Sequence, residues 1–276
     1  MRVGISEDRV EKLRNQCVSL KAQGARVRRK DLRQLAGLAA WLATLMPQLK
    51  PFTAMLWAAM YSTKEQTVHA NQVRLPIHWL LTFANANFLK IERRVRKPAA
   101  YSTVLTFDGS LSGGGATLQV GVPSLENADE HPIVAYWHDE WGATDRARLQ
   151  VVSGESAGQA RLEAYTLHLS LHIWRQILAE SEGKLVIIGD ALGILHDALK
   201  LRAKDTVLNS LLADSALILA PMGLHISGAH LWSQRNKICD ALSRMKRGSQ
   251  PPERLKTVVR VAAKRPTFHV LGSTNE

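Results

Sequence analysis

The stretch TVLTFDGSLSGGGATLQV, residues 103–120, decides how the rest of the chain is interpreted. Val104, Leu105 and Phe107 predict a β-strand that ends on a carboxylate, Asp108, and the apolar residues after the glycines predict a second strand. A two-residue turn would suffice for a plain hairpin. An acid at a strand end beside small residues either starts a turn or is approached closely by a ligand or a metal. This stretch alone leaves both interpretations open.

The composition indicates a globular, basic protein. The 276 residues are 46% hydrophobic and carry a formal net charge of +12. A folded chain this basic usually binds a polyanion, most often nucleic acid; the alternative is that the charges only favour solubility. The arginines are clustered in RVRRK (26–30), RRVRK (93–97) and RMKR (244–247). Because arginine pairs with phosphate through two hydrogen bonds, the clusters favour nucleic acid.

The cysteine usage and the termini bear on location. Cys17 and Cys239 are far apart, and neither belongs to a Cys-x-x-Cys motif. This argues against a disulfide framework or a structural zinc and favours a reducing compartment. The charged N-terminus lacks the apolar core of a signal peptide, and no run of 18 apolar residues is present. We therefore expect an intracellular protein of the cytoplasm or nucleus, neither secreted nor bound to a membrane.

The hydrophobic periodicity predicts four segments. Residues 1–30 predict a charged N-terminal helix or tail, and 31–97 predict a small all-helical segment, broken by prolines near residue 50. Residues 98–248 predict an α/β domain, a mixed sheet with flanking helices, and 249–276 predict a basic C-terminal tail. The strands predicted in the α/β domain lie near 103–108, 114–121, 132–138, 184–190 and 224–232. A loop is predicted through 124–131, and helices over about 75–89 and 158–181.

Four carboxylates occupy positions where acids are structurally unusual. They are Asp108 at the end of the first strand, Glu163 on an apolar helix face, Asp190 after the buried strand KLVIIG, and Asp240 in the first turn of the last helix. Each has an ordinary explanation as a turn, cap or first-turn residue. Gathered together, they would repel one another unless cations lay among them. Oxygen ligands select Mg²⁺ or Mn²⁺, and two such ions about 4 Å apart would activate water and stabilise a leaving phosphate oxygen.

The motifs around these acids resemble those of ribonuclease H. In chain order they are FDGS…GGGA, ARLEAYTLHLSL, LVIIGDALGIL and HLWSQRNKICDALSR. The last is the most specific, and its Ala-Leu-Ser-Arg ending is typical of the ribonuclease H domains of retroelement reverse transcriptases, although Cys239 stands where alanine is usual. The stretch LRQLAGLAAWLATLMPQLKPF also resembles the helical connection segment of such proteins. The two resemblances cover residues 31 to about 247.

The resemblance implies a ribonuclease H-like fold and a role for each motif residue. The implied ligands of two Mg²⁺ or Mn²⁺ ions are Asp108, Glu163, Asp190 and Asp240. His230 would be the loop histidine that assists proton transfer or product release; alternatively, GAHLW places it in a strand as a core histidine. Asn236 would cap the last helix. The glycines after Asp108 would let the backbone and a metal come close.

The function implied is a metal-dependent endonuclease that hydrolyses the RNA strand of an RNA–DNA hybrid. One alternative is a non-catalytic nucleic-acid-binding remnant of a reverse transcriptase with the same fold. Another is an integrase, whose acidic triad would end with Glu where this chain has Asp240, or a proofreading exonuclease, which would carry Asp-x-Glu where it has Asp-Gly-Ser. The chain contains no Tyr-x-Asp-Asp or similar polymerase motif. It resembles the C-terminal portion of a reverse transcriptase or a decayed element, so any polymerase would be an upstream domain of that element.

Basic residues beside these motifs are the expected contacts to an RNA–DNA hybrid. The expected contacts are Arg93, Arg94, Arg96, Lys97, Arg235, Lys237 and Arg244. Three further acids are expected to be solvated and dispensable: Glu155, Glu180 and Glu182. Of these, Glu155 is the nearest rival to Glu163, but it lies in a loop of small residues, whereas Glu163 has a helix behind it.

Overall fold

The structure, a computed structural model, describes residues 2–3, 5–86, 93–94, 102–121, 132–152, 155–181, 183–222 and 224–266. The loop predicted over 124–131 lies outside the described residues, as do Arg96, Lys97 and Glu182. The chain divides into two units. The first comprises Met1–Arg96 with Lys200–Arg202, and the second comprises Lys97–Leu199 with Ala203–Glu276.

The first unit is mainly helical, as the sequence predicted. Its helices are α1 (Glu7–Lys21), α2 (Arg29–Leu45), α3 (Lys50–Tyr61) and α4 (Ala70–Asn85). A 3₁₀ turn at Pro47–Leu49 separates α2 from α3, because proline cannot donate the hydrogen bond that a helix interior needs. Helix α4 begins before the predicted start at residue 75 and contains Pro76. Helix α1 packs against α2 and α4 and buries Leu13 and Cys17, so residues 1–30 are not a separate tail.

Two short antiparallel strand pairs in this unit were not predicted from the sequence. They are β1 (Arg2–Val3) with β4 (Arg93–Arg94), and β2 (Arg26–Arg28) with β3 (Thr67–His69). Val27 and Val68 are partners in the second pair and are buried. Arg28, from the RVRRK cluster, pairs with Asp31 at 2.7 Å, so its charge is partly neutralised within the unit. Strands of two or three residues are too short to display a period of two.

The second unit is built on a mixed sheet of six strands. They are β5 (Ser102–Gly109), β6 (Gly113–Gly121), β7 (Ile133–Glu140), β8 (Lys184–Gly189), β9 (His225–His230) and β10 (Val259–Arg260). Their order is β10-β7-β6-β5-β8-β9. Neighbours among β5, β6 and β7 are antiparallel, β8 and β9 continue the sheet parallel to β5, and β10 is parallel to β7. The predicted mixed sheet preceded by a helical segment is therefore confirmed.

Helices flank both faces of this sheet. They are α5 (Ala143–Arg148), α6 (Ser156–Ile173), α7 (Arg175–Glu180), α8 (Leu192–Lys200), α9 (Thr206–Leu219) and α10 (Lys237–Ser243). Helices α6 and α9 belong to the main core, with Leu105, Phe107 and Trp137 of the sheet. Helix α10 packs on the opposite face, over β5, β6 and β7. The single helix predicted over 158–181 is divided into α6 and α7, because Trp174 departs from helical backbone angles (φ −98°, ψ 13°).

Residues 249–266 belong to this unit, whereas the sequence predicted a basic tail from 249. Strand β10 extends the sheet beside β7, and Leu255 is fully buried. The Arg265 guanidinium pairs with Asp139 at 2.6 Å and with Asp145 at 2.9 Å. A two-residue strand has no periodic pattern to detect, and the paired acids are more than a hundred residues away in sequence. The remaining 267–276 lie outside the described residues.

Candidate active site

Asp108 lies near the end of β5 with its side chain only 7% exposed. It is paired with Gly115 of β6, and a Cβ atom on that glycine would meet α10, so the Asp108 side chain is on the α10 face of the sheet. Burial raises the pKa of the Asp108 carboxyl to about 6, against the effect of a hydrogen bond with the Ser243 side chain. The charges of Asp190 and Asp240 raise this pKa further. Asp108 therefore lies close to two of the other predicted ligands.

Strand β8 brings Asp190 to the same edge of the sheet. Thr106 of β5 is aligned with Ile188 of the parallel strand β8, and the two acids each follow two residues later. Asp190 comes directly after β8 and is half-buried. Parallel strands end at a common edge, and this is the position predicted for the pair.

Helix α6 places Glu163 beside the residue that follows Asp108. Gly109 has no side chain, and a Cβ atom there would lie 2.7 Å from the Glu163 Cα, so the close approach of helix and strand requires glycine. Burial raises the pKa of the Glu163 carboxyl to about 7, while a hydrogen bond with Gln159 lowers it. The charges of Asp190 and Asp108 add to the increase.

Gln159 was not singled out from the sequence. Its side-chain amide donates to the Gly109 carbonyl oxygen at 2.5 Å and to Glu163 Oε1 at 3.0 Å. It therefore joins the end of β5 to the acid on α6. A signal for this contact was present, because Gln159 and Glu163 are four residues apart on one helix and so lie on the same face.

Asp240 lies in the first turn of α10 and is half-buried. Arg244, one turn later, donates from Nε to its Oδ1 at 2.8 Å, and Arg244 Nη2 lies 2.8 Å from the same oxygen as an ion pair. The structure thus brings all four acids to one edge of the sheet, with Asp108 in electrostatic contact with the other three. That the four acids act as metal ligands stays a prediction.

The donor chemistry of this edge suits a hard divalent cation, because carboxylate oxygens are the ligands that Mg²⁺ and Mn²⁺ take. Burial and mutual repulsion raise the pKa values of Asp108 and Glu163, and a cation would relieve that repulsion. Among the described residues, however, no three His, Cys, Asp or Glu side chains are already positioned to hold one ion together. Asp240 is directed to Arg244, and Glu163 is held by Gln159. Metal binding would require these side chains to change partners.

His230 is the last residue of β9 and is exposed. Its Nε2 atom lies 3.0 Å from the backbone carbonyl oxygen of Asp190. The alternative of a core histidine is therefore wrong, although the strand position suggested for it is correct. The residue lies beside one of the four acids and is open to solvent.

Asn236 and the hairpin glycines have structural roles that differ from those expected. Asn236 occupies the position before α10, but its side chain makes no capping hydrogen bond to a described residue. Its Nδ2 atom instead donates to the Phe107 carbonyl oxygen at 3.1 Å. The glycines were expected to let the backbone and a metal come close, and here they let other parts of the protein approach: a Cβ atom at Gly115 would overlap the Leu242 side chain of α10.

The basic residues predicted to contact nucleic acid differ in their surroundings. Arg235 and Lys237 are exposed, and neither makes an ion pair with another described residue. Arg244 is also exposed but is paired with Asp240, so its charge is not free. Arg93 and Arg94 form β4, and their side chains are outside what the structure describes. The remaining two, Arg96 and Lys97, lie outside the described residues, as noted above.

Comparisons with known proteins add a partial likeness. No protein-family model and no curated protein matches the chain. It is similar to the solved structure of RNase H1 from the halophilic archaeon Halobacterium salinarum NRC-1, at 15% identity and a TM-score of 0.36, over 51% of this chain and 93% of that one. It is also similar to foamy viral protease-reverse transcriptase in complex with an RNA/DNA hybrid, at 12% identity and a TM-score of 0.30, over 96% of this chain and 30% of that one.

A second structure of the foamy viral protein, protease-reverse transcriptase dRH in complex with double-stranded DNA, matches at 11% identity and a TM-score of 0.30, over 82% of this chain and 35% of that one. The chain therefore spans about a third of the length of the foamy viral chains. The second unit is a mixed six-stranded sheet with helices on both faces. None of the helices in the described ranges is long and apolar enough to cross a membrane.

Proposed function

We propose that the protein is a metal-dependent endonuclease that hydrolyses the RNA strand of an RNA–DNA hybrid. The observation that carries the proposal is the gathering of Asp108, Glu163, Asp190 and Asp240 at one edge of the sheet, with burial and mutual repulsion raising the pKa of two of them. Burying several carboxylates close together is unfavourable unless cations neutralise them, so the cluster suits a site that binds cations. The same residues in a purely structural role would gain nothing from being near one another.

The four acids would hold two Mg²⁺ ions, or Mn²⁺. When bound, such ions activate water and stabilise the leaving oxygen of a phosphodiester. Gln159 would orient the carboxylate of Glu163, because its amide donates to Glu163 Oε1 at 3.0 Å.

His230 would move a proton at the rim of the site. A carbonyl oxygen can only accept, so the Nε2 atom that faces the Asp190 carbonyl at 3.0 Å carries the hydrogen of the neutral ring. The Nδ1 atom is then the ring position able to take up a proton. The ring is open to solvent, which suits a group that assists proton transfer or product release.

Binding of the hybrid would be mainly a contact with phosphates. Arg235 and Lys237 flank the acid on α10 and are available to pair with the strand being cut. The four basic residues of RRVRK at 93–97 would add to the attraction. Such binding should weaken steeply with salt and depend little on base sequence, and contacts to 2′-hydroxyls and groove shape would separate a hybrid from a DNA duplex.

The proposal extends to the evolutionary origin of the protein and to its location in the cell. The motif order and the helical segment before the domain favour descent from a retroelement reverse transcriptase, whose upstream polymerase domain would be a partner. We also propose an intracellular location, in the cytoplasm or nucleus, where such hybrids arise.

A second candidate function is a non-catalytic nucleic-acid-binding module of the same fold. It is favoured by the Arg244–Asp240 pair, in which an arginine neutralises one of the acids, and by the lack of three ligand side chains already converging among the described residues. In that case the domain would bind hybrids without cutting them.

Incubation of purified protein with end-labelled substrates, with Mg²⁺ and with a chelator, separates the two functions. The substrates are an RNA–DNA hybrid labelled on either strand, a DNA duplex and an RNA duplex. The endonuclease proposal expects Mg²⁺-dependent cleavage of the RNA strand of the hybrid alone. Tight binding of the hybrid without cleavage would support the non-catalytic module. Cleavage of the DNA strand would contradict both.

A further inference from the structure

The segment between β9 and α10 carries an exposed tryptophan beside the four acids. The Trp232 side chain is 71% exposed, and its ring meets the His230 ring edge-on, with centroids 5.2 Å apart and planes at 73°. His230 in turn contacts the backbone of Asp190. Trp232 is therefore an apolar surface in water at the rim of the proposed active site.

The backbone on either side of Trp232 is fixed. The preceding residue, Leu231, is buried and donates its N–H to the Gly189 carbonyl at 3.0 Å. The Trp232 carbonyl accepts from the N–H groups of Arg235 at 2.7 Å and Asn236 at 3.3 Å. These bonds fix the position of the Trp232 backbone, and its side chain lies exposed.

The surroundings of the indole are cationic. Arg235 ends the 3₁₀ turn that follows Trp232, and Lys237 begins α10. Both side chains are exposed, and neither forms an ion pair with a described residue. An exposed aromatic ring beside free cations is the combination that binds single-stranded nucleic acid, because the ring stacks on a base while the cations pair with phosphates.

We infer that Trp232 stacks on an unpaired base of the nucleic acid bound at the site, at a strand end or overhang adjoining the hybrid. Within a duplex, neighbouring bases cover both faces of every base, so an indole on a fixed turn can stack only where a base face is free. The inference rests on the proposed function and adds a substrate preference to it: a hybrid with a single-stranded extension binds more tightly than a blunt one.

The test is a binding measurement without metal ions, so that no cleavage intervenes. Fluorescence anisotropy in chelator would give Kd for a blunt hybrid and for the same hybrid with an RNA overhang of about eight nucleotides, within the usual site size of such surfaces. The proteins are the parent, Trp232→Ala, Trp232→Phe and a matched control, Trp41→Ala. Trp41 is 48% exposed in the first unit, where the Arg9 guanidinium lies 5.4 Å from its ring centroid.

We expect Trp232→Ala to weaken binding of the overhang hybrid by about 5- to 100-fold, the range for loss of one base–aromatic stack, and to leave the blunt hybrid nearly unchanged. Trp232→Phe should keep most of the preference, and Trp41→Ala should behave as the parent. An unchanged thermal transition would show that Trp232→Ala is folded.

The outcomes separate the inference from the function on which it rests. Equal affinity of Trp232→Ala and the parent for the overhang hybrid overturns the stacking role and leaves the endonuclease proposal standing. An equal loss on both hybrids also overturns it, because the ring would then contact the duplex. Failure of the parent to bind either hybrid at low salt would contradict the proposed function itself.

Discussion

The side-chain amide of Asn236 donates a hydrogen bond to the backbone carbonyl of Phe107, with the two atoms 3.1 Å apart. Both residues are buried, and the bond joins the start of α10 to β5 one residue before Asp108. The helix that carries Asp240 is thereby fixed to the strand that carries Asp108. The hydrogen bond between Asn236 and Phe107 therefore helps to set the relative positions of Asp108 and Asp240.

Replacement of this amide should destabilise the domain. Asn236→Ala removes the donor and leaves the buried Phe107 carbonyl without its partner, so the free energy of unfolding should fall by about 1–3 kcal/mol. Urea denaturation measures it. Gln234→Ala, exposed in the same turn, is the matched control and should remain within about 0.5 kcal/mol of the parent. Equal stability of the two variants would mean that other contacts hold α10 in place.

Gly115 should not tolerate a side chain. Gly115→Ala would drive a Cβ atom into Leu242, and the free energy of unfolding should fall by about 1–3 kcal/mol as α10 is displaced. Gly193→Ala is the control, since a Cβ there meets nothing within 4 Å and lies near the start of α8. It should be neutral or stabilising by up to about 1 kcal/mol, because alanine favours the helix. Similar effects at both glycines would contradict the close packing of α10.

Hydrophobic periodicity and the order of the motifs were sufficient to predict the main strands and helices and the positions of the acids on them. The apolar run of β8 followed by Asp190, and Glu163 in line with an apolar helix face, required no knowledge of distant contacts. Their convergence followed from the edge that parallel strands share. The four acids could therefore be grouped before any coordinates were known.

The contacts between distant parts of the chain could not be predicted in this way. Asn236 had the composition and position of a helix cap, but its amide binds a carbonyl 129 residues away. Arg265 lies in a stretch whose composition predicted a tail, but in the structure it pairs with Asp139 and Asp145. Such pairings depend on which surfaces meet after folding, and neither composition nor local spacing records that.

The stability of the metal-free protein should respond to Asp108 as pH changes. Burial raises the pKa of Asp108 to about 6, so between its unfolded value near 4 and that pH the folded protein binds more protons than the unfolded chain. The stability that this group contributes is fully present below about pH 4 and is lost as pH rises through about 6. In chelator, Asp108→Asn should lose less stability than the parent between about pH 4 and 6.

Urea denaturation at several pH values measures this difference. Glu155→Gln changes an exposed acid just before α6 and should follow the parent profile. Parallel stability profiles of the parent and Asp108→Asn would contradict the account, because folding would then leave the pKa of Asp108 unchanged.

Arg244 should compete with metal ions for Asp240. Arg244→Ala removes the partner that holds Oδ1 at 2.8 Å, so Mg²⁺ affinity measured by calorimetry should increase by up to about fivefold, since an exposed pair contributes at most about 1 kcal/mol. Arg247→Ala, which removes an exposed arginine 3.6 Å from Asp139, is the control and should leave Mg²⁺ affinity unchanged. Weaker Mg²⁺ binding by Arg244→Ala would mean that the arginine organises the site.

Glu163 and its nearest rival in the sequence, Glu155, should differ in importance. Glu163→Gln keeps the hydrogen bond from Gln159 but removes a charge from the acids, and it should lower the rate of hybrid cleavage at least a hundredfold, or about 3 kcal/mol. Glu155→Gln should retain the parent rate. The reverse result would place the metal ligand in the loop before α6.

The most direct test of the central claim is Mg²⁺-dependent cleavage of a labelled RNA–DNA hybrid by Asp108→Asn and Asp190→Asn. Each variant is assayed beside the parent, with hybrid binding and the thermal unfolding transition measured on the same preparations. The account predicts that cleavage is abolished, that hybrid binding is unchanged or tighter because a negative charge is removed, and that the thermal transition is kept or rises. Parent-like cleavage by either variant, or loss of the thermal transition in either, would contradict the assignment of that acid as a metal ligand.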